Sequence, residues 1–137
     1  MIRKLVTFIV VFLLILSFSG CGTGSFTVTL ELQCDVEIYA VHIEYFIGET
    51  AIGEQEVSLT PENDMAYEKG AAPVFMISEA DFPEGSNIKE FQITFYLVLG
   101  DGSEIEAGGL GIVASYGDSY LYAVYGNLED GFVLRRG

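Results

Sequence analysis

The chain has 137 residues, 20 of them acidic and six basic, and half are hydrophobic. The length fits one domain, and a formal net charge of −14 argues against nucleic acid or anionic lipid headgroups as the principal partner, because such a domain repels phosphate. The same acidity favours solubility, cationic partners or loosely held divalent ions.

The first segment differs from the rest. Met1-Ile2-Arg3-Lys4 is short and basic, and Leu5 to Phe18 is an apolar run broken only by Thr7 and Ser17. That run is shorter than the ~20 residues of a membrane span and falls in the range of a secretory signal. Small residues and a cysteine follow. Phe18-Ser19-Gly20-Cys21 resembles the lipobox of bacterial lipoprotein precursors, in which a hydrophobic residue and two small residues precede an invariant cysteine; Phe18 stands where leucine is usual. The resemblance covers residues 1–21. It implies cleavage between Gly20 and Cys21, a diacylglycerol thioether on Cys21, and a chain held by its lipid at the extracytoplasmic face of a bacterial membrane. Acyl chains contribute ~0.8 kcal/mol per buried CH₂, so a doubly acylated cysteine is a stable anchor. Two other readings stay open: an ordinary secretory signal cut near Ser19 or Gly20, leaving Cys21 to pair with Cys34, and an uncleaved anchor.

On the lipoprotein reading, residues 1–20 are the signal, 21–25 the lipidated cysteine with a short tether, and 26–137 the folded domain. All 20 acidic residues and four of the basic ones lie beyond Cys21, giving that part a net charge of −16. A four-residue tether spans roughly 11 Å, which keeps the domain close to the membrane.

The rest reads as strands. Phe26, Val28, Leu30 and Leu32 alternate with Thr27, Thr29, Glu31 and Gln33, and Cys34 continues the apolar parity as a buried small hydrophobe. In Val36 to Ile47 the odd positions Tyr39, Val41, Ile43, Tyr45 and Ile47 form the greasier face, which leaves His42 half exposed beside Ala40 and Glu44. Gly48-Glu49-Thr50 is a turn before a strand over 51–59, whose register the sequence leaves ambiguous. Residues 60–72 form an irregular connection. Pro73 to Ile77 is a short strand, and Ser78 is the N-cap of a single helical turn stopped by Pro83 and Gly85.

Lys89 to Leu99 is the strongest strand, with Phe91, Ile93, Phe95, Leu97 and Leu99 on one face. A three-residue Gly100-Asp101-Gly102 loop pairs Leu97 with Ile105 and Tyr96 with Glu106. A two-residue loop would bury carboxylates opposite leucines, so the longer loop is expected, with Gly102 left-handed. Gly117-Asp118 reads as a type II′ turn pairing Ala114 with Leu121 and Ile112 with Ala123, which would set Tyr120 and Tyr122 on the outer face. Asn127 to Gly131 is a polar turn before a last strand ending in Arg135-Arg136. About eight short strands predict an all-β fold, an antiparallel β-sandwich that is immunoglobulin-like in the broad sense, following an N-terminal signal helix.

Candidate chemistry is sparse. There is one histidine, no phosphate loop and no G-x-S-x-G elbow. His42 and Cys34 do not make a zinc cluster by themselves. Asp101-Gly102-Ser103-Glu104-Ile105-Glu106 lacks the calcium-loop pattern. No catalysis, cofactor or metal is expected. The sharpest candidates are Tyr96, Tyr120 and Tyr122, with Tyr116 flanking its turn, as an exposed aromatic stripe. The expectation is a small lipid-anchored binding module meeting an extracytoplasmic protein or glycan. A carbohydrate-binding surface domain is the first alternative, and an inhibitor or small hydrolase the second.

Overall fold

The alternation over residues 25–34 becomes the first and longest strand, β1 (Ser25–Cys34), in which every second side chain from Phe26 to Cys34 is buried. A computed structural model describes residues 24–137 of the chain. Cys21, the Gly20–Cys21 cleavage point and the signal segment lie outside the described residues. The other strands are β2 (Ala40–Ile47), β3 (Thr50–Ser58), β4 (Val74–Ser78), β5 (Phe91–Val98), β6 (Glu104–Ile112), β7 (Ser119–Asn127) and β8 (Gly131–Arg136). They form two four-stranded sheets in the orders β4-β1-β7-β8 and β3-β2-β5-β6.

The fold is a β-sandwich. Apolar residues from both sheets fill one core, including Val28, Leu30 and Phe75 from the first and Val41, Ile43 and Phe95 from the second, all fully buried. At the end where β1 begins, Phe26 packs edge-on against Phe91 at 5.0 Å between ring centroids. It also meets Phe82, Tyr116 and Tyr120 at 6.4, 6.1 and 6.0 Å. Gly24 sits so close to this cluster that a Cβ there would lie 2.8 Å from Tyr116.

Several local expectations hold. The β5–β6 turn pairs Leu97 with Ile105 and Tyr96 with Glu106, and Gly102 has φ +84°. Ser78 caps the 3₁₀ turn Glu79–Asp81 with a complete capping box. Cys34 is buried and has no disulfide partner among the described residues, and burial is the chief cause that pushes its thiol pKa up. The strongest strand begins two residues later than expected, because Lys89 lies in a 3₁₀ turn over Ile88–Glu90.

The 112–123 hairpin is not formed. β6 and β7 lie in different sheets, and β7 instead pairs in parallel with β1 from Thr27↔Ser119 to Cys34↔Gly126, so the sandwich is not wholly antiparallel. This pairing sets Tyr120, Tyr122 and Val124 beside Val28, Leu30 and Leu32. The inward face of β7 therefore carries two rings and a valine, a larger apolar payload than Leu121 and Ala123 would supply. The Ser115–Asp118 turn carries the chain between the sheets. Its Asp118 N–H donates to the Ser115 carbonyl at 3.2 Å, and Gly117, φ +91°, is the third residue of the turn. A positive φ there suits a type II turn better than the expected type II′.

Candidate functional site

The outer face of β3-β2-β5-β6 collects most of the chemistry-bearing side chains. Strand register puts Glu56, His42, Tyr96 and Glu106 in one row across all four strands. The next row holds Glu54, Glu44 and Thr94, and Glu104 stands opposite Val98 at the end of β6. Five carboxylates thus surround the chain's single histidine.

His42 is held from both sides. Its Nδ1 lies 2.9 Å from Glu104 Oε1 and its Nε2 lies 3.3 Å from Glu54 Oε2. The imidazole is 16% exposed, whereas Glu54 is 70% exposed. The Tyr96 ring lies 5.5 Å from the imidazole, tilted by 32°, and the Tyr96 hydroxyl donates to Glu44 Oε2 at 3.2 Å. His42 and the carboxylates of Glu44 and Glu54 place ligand-capable atoms within 4.8 Å of one another. A shallow, open depression lies over His42, Glu54, Gln55, Glu56 and Glu104.

Opposing forces act on the imidazole. Partial burial is the largest single effect and disfavours its charge. The hydrogen bonds and charges of Glu104 and then Glu54 outweigh it, so the pKa is raised above the ordinary histidine value. The Tyr96 hydroxyl is raised first by desolvation, then by Glu44, and further by Glu106 and Glu104.

The expected tyrosine stripe is dispersed. Tyr96 alone belongs to this face. Tyr116 and Tyr120 join the aromatic cluster around Phe26, and the Tyr120 hydroxyl accepts from the Ser115 N–H at 2.9 Å. Tyr122 is half-buried and packs on the core. The outer-face placement of Tyr120 and Tyr122 is thereby corrected: it followed from the hairpin, and pairing with β1 turns both rings inward. In the β5–β6 turn, Asp101 Oδ1 accepts from the Ser103 N–H at 2.9 Å and from the Ser103 hydroxyl at 2.6 Å. These bonds, the hydroxyl's first, lower the Asp101 pKa. Glu104 belongs with His42.

Sequence reasoning passed over the His42 cluster. Part of its signal is local, since His42 and Glu44 share one strand parity and the three-residue turn pairs Tyr96 with Glu106. The β2–β3 register was missing. It carries an irregularity between Tyr45 and Phe46 that leaves Ile52 without a direct partner and decides which glutamates of β3 flank the histidine.

No family model and no curated protein matches the chain. Among solved structures, a protein from Eubacterium rectale determined by NMR is 11% identical at a TM-score of 0.48, covering 82% of this chain and 88% of that one. The membrane-binding domain of pneumolysin is 6% identical at 0.40, covering 82% and 96%. Listeriolysin O is 7% identical at 0.37, covering 82% of this chain and 22% of that one. These scores describe a general likeness of β architecture and carry no inference about activity.

Proposed function

We propose that the chain is a lipid-anchored, non-catalytic interaction domain at the extracytoplasmic face of a bacterial membrane. The observation that supports this reading is the run Phe18-Ser19-Gly20-Cys21, which stands only four residues before the first strand at Ser25. An acylated Cys21 would dock the sandwich near the bilayer by its β1 end. The strongly acidic outer face of β3-β2-β5-β6 then favours a protein partner with a basic surface over nucleic acid. The glycan reading finds less support. Stacking on sugars needs open ring faces, and Tyr96, the one tyrosine left on that face, lies against His42 and is bonded to Glu44.

Labelling with radioactive palmitate in a bacterial host tests the anchor. Label is expected on the full-length chain and absent from Cys21→Ser. Equal labelling of both, or of neither, overturns the reading.

A further inference from the structure

From the geometry around His42 we infer that the outer face of β3-β2-β5-β6 is a binding site for a divalent transition-metal ion such as Zn²⁺, held by His42 Nε2 and the carboxylates of Glu44 and Glu54. The site is independent of how the chain is anchored.

The argument begins with the proton on the ring. Glu104 lies 2.9 Å from Nδ1 and is acceptor-only when ionised, so Nδ1 carries the hydrogen. In the neutral imidazole that tautomer leaves a lone pair on Nε2. This lone pair faces a second acceptor, Glu54 Oε2, at 3.3 Å. Two acceptors facing each other require a cation between them. One occupant is a proton, which makes the ring an imidazolium; the other is a metal ion. Glu104 is then the outer partner that fixes tautomer and ring orientation, as carboxylates do behind many metal-bound histidines.

The donor set selects the metal. One imidazole nitrogen and two carboxylates suit zinc and its first-row neighbours, whereas calcium takes six to eight oxygens. In a tetrahedral site with bonds of ~2.0–2.2 Å, ligand atoms lie roughly 3.4 Å apart. The three groups here, within 4.8 Å of one another, close to that spacing by small side-chain movements. Glu54 is well exposed and free to move, and Glu44 is steadied by the Tyr96 hydroxyl. The open depression leaves the remaining position to water.

Proton and metal compete for Nε2, so binding from the imidazolium releases one proton as the Nε2–metal bond forms. The groups facing the ring are Glu44 on its own strand, Glu54 and Glu56 on β3, Tyr96 on β5, and Glu104 and Glu106 on β6.

Calorimetric titration of the full-length chain in detergent, stripped of metal by chelation, tests the site with Zn²⁺ and Ca²⁺. One Zn²⁺ per chain is expected at pH 8 with micromolar affinity, and no matching Ca²⁺ site. Glu54→Gln, at an exposed position that leaves the fold intact, should weaken Zn²⁺ at least tenfold. His42→Gln should abolish the site. Glu104→Gln should cost roughly 10–100-fold through the tautomer. Glu129→Gln, in the remote β7–β8 turn, should change nothing. Failure to saturate at millimolar Zn²⁺, equal binding of Ca²⁺, or affinity unchanged in Glu54→Gln each overturns the inference.

Discussion

The two outer faces of the sandwich share one core and present opposite chemistry. The β3-β2-β5-β6 face carries Glu44, Glu54, Glu56, Glu104 and Glu106 around His42. The β4-β1-β7-β8 face carries Thr27 and Thr29 between exposed Val74, Met76 and Leu121, with Tyr125 and Val133 beyond. Its charges are few: Glu31 accepts from Gln33, and Arg135 lies over the Tyr125 ring at 5.4 Å. Identical inward alternation therefore says little about the outside. The inner residues obey one rule, burial, while each outer face is free to take its own composition.

The largest expected effect strikes what the faces share. Phe26 is 1% exposed and joins the aromatic cluster that ties β1 to β5 and to the Ser115–Asp118 turn. Phe26→Ala should lower unfolding stability by ~3–5 kcal/mol, read as a shift of the urea midpoint at unchanged slope. A loss below about 1 kcal/mol would mean that the two sheets do not depend on one interior.

The next effect is confined to the acidic face and depends on pH. The folded-state pKa of His42 is raised, so its stabilising contribution is fully present below the unfolded value of ~6.5 and is lost as pH rises through the folded value. In metal-free protein, wild type should exceed His42→Gln by something on the order of 0.2–1 kcal/mol in acid, and the gap should close in mildly alkaline buffer. Thermal denaturation of both proteins across that range measures it. A gap that widens with rising pH would contradict the Glu104–His42–Glu54 geometry.

What the sequence disclosed follows the range of the forces. The strands, the Ser78 cap and the Gly102 turn are settled by neighbours a few residues apart, and all were readable. The Tyr96–Glu106 pair was readable because a three-residue turn fixes register nearby. The parallel pairing of β1 with β7 joins residues more than 90 apart, and no local pattern encodes it; the Gly117 turn fitted a hairpin equally well until the core selected the other face of β7. The His42 site needed three registers at once, including the irregular one at Tyr45, so only its Tyr96 edge was legible.

The smallest expected effect lies on the less charged face. Leu121 is 43% exposed and Met76 45%, and Thr27 and Thr29 separate them. Side chains already half in water have little burial to lose, so the double change Leu121→Gln, Met76→Gln should move stability by no more than about 0.5 kcal/mol per site. The same experiment asks whether this face is bare. If the pair costs several kcal/mol in thermal denaturation, or the cost grows with protein concentration, the face is covered in solution by more chain. A cost that stays small at every concentration leaves the acidic face as the chemically committed side of the molecule.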